Sequence, residues 1–427
     1  MTLTPQPGKE NFRTLALLGS LCLFLSAIEY LIPKPLPFMR IGLANLPLLL
    51  ALDIVRPKHF ILLVLLKVLG QGIISGSLFS YVFLFSIAGT FSSAALMYTL
   101  RKLLGKKHLS FIGLSCAGAI TSNSVQLILA RYFIFGPALR YLIPPFLASG
   151  FITGIVLGVV CEYFCRRSIW YAGKAGTGDW GTQLPKALGT GDCCSQFELT
   201  PEMALGSSNY DNISQIHPNN SKSPLVPSPQ SPVPSPHSFS PHSLFIAGLV
   251  MMAIFLFNRS LEGRVVQFLF FCLLTWIWGK KPNVLVTVLF MAGIVLCNVL
   301  VPYGKVLAAI GPLRITHGSL FAGLEKAFTL GGLVMLSRAC IRSDLRLPGT
   351  IGSLLGESLQ MLELMREKKH LINKRRIIAG IDTMLLELET INMNSPEPSP
   401  KPNVKSILLL SAIVLLSAAL GFIPRFF

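Results

Sequence analysis

Residues 65–90 read LLKVLGQGIISGSLFSYVFLFSIAGT, and the fold class follows from them. Apart from Lys67, this run carries no charge. It holds the end of one membrane span and the start of the next. The rest of the chain repeats the pattern. Of its 427 residues, 52% are hydrophobic and only 13% charged, against about 25% charged in an ordinary soluble domain. Mean hydropathy is +0.61. This composition excludes a soluble enzyme, a disordered regulator or a DNA-binding domain as the main reading. The net charge of +18, from 37 Lys and Arg against 19 Asp and Glu, is expected in loops facing the cytoplasm. Nucleic-acid binding would need a basic face on a soluble fold, and none is present.

At about 20 mostly apolar residues per crossing, the first part of the chain holds six spans: residues 14–32, 42–55, 59–78, 80–100, 109–135 and 141–164. The second is short. Lys9 and Arg13 ahead of the first also suit a signal peptide. However, Gly-Ser-Leu before Cys22 lacks the small residue a lipoprotein signal needs, and further spans follow at once, so the helix is read as retained. Basic residues fall in alternate loops: Lys9 and Arg13, then Arg56 and Lys58, then Arg101, Lys102, Lys106 and Lys107, then Arg166 and Arg167. The opposite loops hold only Lys34, Arg40 and Arg140. The positive-inside rule therefore puts both ends of the six-span unit in the cytoplasm.

The chain divides into residues 1–167, the six-span unit; 168–243, a Pro/Ser-rich cytoplasmic linker; 244–341, a second set of spans; 342–403, cytoplasmic amphipathic helices; and 404–427, a last span. Within the linker, residues 223–243 read SPLVPSPQSPVPSPHSFSPHS, a composition that cannot bury a core and is expected to be disordered. The second set has spans at residues 244–257, 265–278, 283–301 and 319–341, the last carrying Glu325 and Lys326. Lys280 and Lys281 lie on the inside. Leu354, Leu355, Leu359, Leu362 and Met365 recur at helical spacing, with Glu363, Arg366, Glu367, Lys368 and Lys369 as the polar side. That stripe predicts an amphipathic helix lying on the membrane or on a partner. A second such helix is expected over residues 377–388.

No enzyme constellation is present. The six aspartates include no two within five residues, so the cluster that holds Mg²⁺ on a prenyl diphosphate is missing. There is no GxxxxGK[ST], HExxH or GxSxG. No cofactor is implied, and no CxxC pair points to a metal. The nine cysteines are read as packing thiols.

Polar side chains inside spans are costly and face the bundle interior. Lys67 and Gln71 share one helix face, as do Asn123 and Gln126. With Asn45, these are the candidate ligand contacts: Lys67 for an anionic group, the amides for hydrogen bonds. Counting along the spans places them in the outer half, in a pocket open to the outside. The bland alternative is hydrogen-bonded glue between helices. Ala16 and Ser20 form a small-residue face on span one, suited either to docking a second membrane protein or to packing within the chain.

Three stretches carry a family resemblance: IGLANLPLLLALDI at residues 41–54, the opening run at 65–90, and GAITSNSVQLILARYFIFG at residues 118–136. They resemble the Gx transporter family, also called heptaprenyl diphosphate synthase component I. The family is similar to the S component of ECF vitamin transporters. This implies a six-helix bundle holding a small vitamin- or flavin-like molecule near the outer face. Residues 317–341 more weakly resemble the T component, which implies a separate ATPase docking on the cytoplasmic helices. Ser337-Arg338-Ala339 fits the T component's small-Arg-small motif, without a second copy in 350–391. The expected function is uptake of a small molecule by a multi-pass protein of the cytoplasmic membrane. The alternatives are a non-catalytic membrane component of polyprenyl diphosphate synthesis, and a scaffold for a flavin or electron-transfer assembly.

Overall fold

The computed structural model describes residues 7–31, 42–175, 239–258, 260–279, 284–310, 313–342, 345, 349–368, 377–391 and 404–422. Most of the expected linker, with Cys193 and Cys194, lies outside the described residues.

Apolar runs closed by proline, glycine or a polar cap give the helices their limits. Helix α1 is Pro7–Leu31. A 3-10 turn leads into the short α2, Leu46–Ile54. Helix α3, Pro57–Ser75, starts on a proline and ends on Gly76. That glycine has φ +59°, a left-handed conformation in which a side chain is strained. Helix α4 is Tyr81–His108. Helix α5, Phe111–Ala130, is capped by Ser110, whose hydroxyl accepts from the Gly113 N–H. A π turn (Arg131–Phe135) and a 3-10 turn (Gly136–Tyr141) follow. Helix α6 is Ile143–Arg167 and α7 is Ile169–Ala175. Span five is thus a helix ending at Ala130 plus an irregular cap, and a further short helix follows the boundary at residue 167.

In the second half, α8 is Pro241–Phe257, α9 Leu261–Ile277 and α10 Val284–Val299. An antiparallel hairpin of β1 (Val306–Ile310) and β2 (Leu313–Thr316) leads into α11, His317–Cys340. Helix α12 is Gly349–Glu367, α13 Ile377–Thr390 and α14 Val404–Phe422. Among the described residues, seven helices are long and apolar enough to cross a membrane, and three shorter apolar ones accompany them. The chain is an all-α polytopic membrane protein.

The two halves share one core. Leu17, Leu21 and Leu63 of the first pack in the same cluster as Leu336, Leu354 and Met361 of the second. Helix α12 supplies much of this contact. Its stripe of Leu354, Leu355, Leu362 and Met365 is buried, and the partner is α1 of the same chain. The face that receives it is made of small residues. The Ser358 hydroxyl donates to the Ala16 carbonyl at 3.1 Å, and a Cβ on Gly19 would lie 2.9 Å from Ser358 Oγ and 2.1 Å from Leu66. Only a glycine there allows so close an approach. The chain comes to α12 at Leu345, beside Leu69 and Ile73, and reaches the neighbourhood of Arg13 by Glu357. Helix α12 therefore runs back along α1 and α3.

The rim formed by the α3–α4 turn and the cap after α5 lies on α11. Gly76 faces Arg338, and the Phe79 N–H donates to Ser337 Oγ at 3.1 Å. Phe85 and Ile134 pack with Ile294, Ala327 and Leu330. The contacts cover α11 from Ala327 to Arg338, about 16 Å at 1.5 Å per residue. The helices of the first half thus run with α12 and across α11.

Candidate functional site

The buried cation of the opening stretch anchors the site. Lys67 is 3% exposed, and such a charge needs a partner. Its ammonium donates to Asn45 Oδ1 across 22 residues of sequence. Asn45 in turn lines a cleft between α2, α4, α5 and α6, together with Ser93, Met97, Ser115, Thr153 and Leu157. Short helix α2 sets its depth. Asn45 stands eight residues before Asp53 at the inner end, about 12 Å away. The cleft is therefore about 12 Å from Asp53 along α2, at the level of Lys67 on α3.

The Ser115 hydroxyl is buried in this cleft without a hydrogen-bond partner. Buried polar atoms are rarely left so, and it marks the place where a ligand or water atom would be accepted. Among the described residues, no carboxylate lines the cleft. A cation behind it and hydroxyls around it suit an anionic or carbonyl-bearing group. In this state the cleft is narrow, with about 20 Å³ of usable interior, room for one water rather than for a ring system.

The other expected ligand contacts sit apart from it. Asn123 is buried and donates to the Phe146 carbonyl at 2.9 Å, tying α5 to α6. Gln126 is buried and donates to Ser122 at 2.9 Å within α5. Gln71, half-buried on α3, does not line the cleft. The structure brings Lys67 and Asn45 together and leaves the other three outside. Ser93, Ser115 and Thr153, which also line the cleft, were not among the residues expected from the sequence, where a lone serine or threonine in an apolar helix gives no signal.

A second polar network closes the inner end. Asp53 takes two bonds from the Arg101 guanidinium, at 2.7 and 3.1 Å, and a third from the Tyr171 hydroxyl at 3.2 Å. Arg101 also donates to the Leu109 carbonyl and lies over the Phe111 ring. Burial pushes the Tyr171 hydroxyl pKa up, and the Asp53 charge adds to it. Asp382 of α13 caps α7, accepting from the Ser168 hydroxyl and from the Ile169 and Trp170 N–H groups. Lys174 pairs with Glu389 at 2.6 Å. Toward the other end of α11, Arg264 pairs with Glu325 at 2.7 Å, and Lys326 donates to Asn298 at 3.0 Å. Glu325 and Lys326, the charged pair expected within this span, are therefore both partnered.

Comparison with known proteins places parts of the chain. Residues 242–343 match a domain of unknown function, DUF8519. No curated protein and no solved structure matches the chain. Residues 18–164, the region of α1 to α6 that carries the cleft, match the family model for heptaprenyl diphosphate synthase component I, and the first half of the chain is similar to that family.

Proposed function

We propose that the chain is a non-enzymatic membrane transport protein. Its first half takes a small vitamin- or flavin-like molecule into the cleft at Asn45, Lys67 and Ser115. Its second half links that bundle to a separate ATPase in the cytoplasm. The observation that carries this reading is the contact of Gly76 and Phe79 with Arg338 and Ser337. The basic residues assign the α3–α4 turn to the outside. The same rule puts Lys280, Lys281 and the Arg342 end of α11 inside. Two helix ends destined for opposite faces are in contact. A bundle that stands upright in one state and lies along α12 in another accounts for both facts. Such a turn carries a bound molecule across without covalent chemistry. The exposed Glu363, Arg366 and Glu367 on α12 offer an ATPase a charged surface.

A second reading has its own support: a non-catalytic membrane component of heptaprenyl diphosphate synthesis. The family match favours this reading over transport, since its description names the synthase. The missing aspartate cluster leaves the catalysis to another chain.

One experiment separates the two. The chain is purified from its native membrane, and bound small molecules and co-purifying proteins are identified by mass spectrometry. A stoichiometric ring-bearing molecule, lost in a folded Lys67→Ala variant, together with an ATPase, is the expected result. An empty protein that brings down a prenyl synthase would favour the second reading and sink the first.

A further inference from the structure

We infer that Met97 is the gate of the cleft, the side chain whose rotation sets how large a molecule enters. The gate rests on the reading of that cleft as the ligand site, proposed above. An interior of about 20 Å³ admits one water, while the ligand proposed for it carries a ring. Part of the wall therefore moves, and most of the wall is fixed. On the α5–α6 side, a Cβ on Gly154 would come within 3.0 Å of the Cys116 Cα. One turn on, Gly158 lies against the backbone of Ile112 and leaves a side chain no room. The Asn123 amide also ties α5 to the Phe146 carbonyl at 2.9 Å. Parting this seam gives up backbone packing over several turns and a buried hydrogen bond at once. On the α2 side, Asn45 is held by Lys67, and Leu49 is fully buried.

Met97 of α4 is different. It is buried and lines the cleft together with Ser93, one turn earlier on the same helix face. Its thioether sits in the notch left by Gly118, where a Cβ would meet Met97 Sδ at 2.7 Å and Cγ at 2.9 Å. Gly118 lines the cleft too, so when the thioether leaves its seat that space joins the cleft. An unbranched thioether on three rotatable bonds repacks readily, and its move breaks no hydrogen bond. Ser115 stands three residues before Gly118 on the same face of α5. The space therefore opens beside the hydroxyl that lacks a partner. Bulk at position 97 limits the size of the ligand, while Ser115 selects its polar group.

The full chain, labelled at its methionine methyl groups with carbon-13, is titrated in mild detergent with acetate and with benzoate. The Met97 methyl signal is identified by its absence from Met97→Leu, and affinities are read by equilibrium dialysis of the two acids. Benzoate is expected to move that signal. Met97→Ala, which empties the seat, binds benzoate about tenfold more tightly than the native chain, the low end of what a change in fit of an apolar pocket yields, and binds acetate equally. Met97→Leu, branched and stiffer, keeps acetate and loses benzoate. If Met97→Ala does not fold, Met97→Val is read the same way. A methyl signal that stays in place at saturating benzoate, or a benzoate affinity indifferent to the residue at 97, would overturn the gate. With acetate still weakened in Ser115→Ala, the cleft reading survives that result. Binding of neither acid to any of these chains would overturn the cleft reading and the gate together.

Discussion

The inner polar network and the mid-bundle cleft are both buried, both polar and little more than 10 Å apart along α2, yet they are finished differently. At the inner end, Asp53 and Asp382 each accept three hydrogen bonds. In the cleft, Lys67 meets Asn45, but Ser115 has nothing. Burial costs both sites desolvation. A fully satisfied network recovers it and fixes the surrounding helices. A half-satisfied one holds a position open for something else. The first region is fully paired and the second is not, and substitutions in the two are expected to behave differently.

The largest effect belongs to the fully paired region. Asp53→Ala leaves the Arg101 guanidinium, 10% exposed, buried without its carboxylate. Breaking such a pair costs about 3–5 kcal/mol. Thermal unfolding in detergent checks it; an unchanged midpoint would show that the network does not hold the fold. Next is the contact between halves. Gly19→Leu drives a side chain into Leu66 and Ser358, an overpacking of about 1–3 kcal/mol. Amide exchange is expected to rise in α12 and to stay low in α5 and α6. Faster exchange throughout would mean the variant unfolds the bundle instead.

The cleft should respond the other way. Ser115→Ala deletes an unsatisfied hydroxyl, so stability is expected to hold within about 0.5 kcal/mol. Ligand affinity should fall by about tenfold, one hydrogen bond's worth. A large loss of stability would make Ser115 a structural residue and remove the contrast. The smallest effect is at Glu357 on α12. Burial raises its pKa above the usual carboxylate value, and Arg13 partly offsets this. A carboxyl with a raised folded-state pKa contributes most stability below its unfolded value, about 4.3. That contribution is lost as pH rises through the folded value. Glu357→Gln should flatten this acid-side slope in unfolding midpoints measured across pH; an identical slope would place the group in water.

Much of this was legible in the sequence. Hydropathy gave the long apolar helices and the three shorter ones, though α9, expected as a span over residues 265–278, is not among them, and the Leu354–Met365 stripe gave α12. The small face at Ala16 and Ser20 announced a close packing. What periodicity cannot give is the partner of a face. The stripe was equally suited to a membrane surface, a second protein or α1. Asp53 and Arg101 stand 48 residues apart with nothing local to pair them. Lys67 could be chosen because one charge in an apolar helix is costly wherever it points. Asn123 and Gln126 looked equivalent to it, but amides satisfy neighbouring carbonyls and hydroxyls cheaply, and that is where the structure puts them. Ser115 was hidden because a serine in a small-residue run is ordinary packing material unless its hydroxyl proves to be unpaired.

Transport by the proposed route requires the bundle to have two orientations. Spin labels on Tyr132→Cys at the rim, 79% exposed, and Leu296→Cys on α10, 60% exposed, report the distance between the halves by double electron–electron resonance. In proteoliposomes two distance populations are expected. The shorter matches the rim lying along α11. A single short distance under every condition would contradict the account and leave a rigid membrane scaffold.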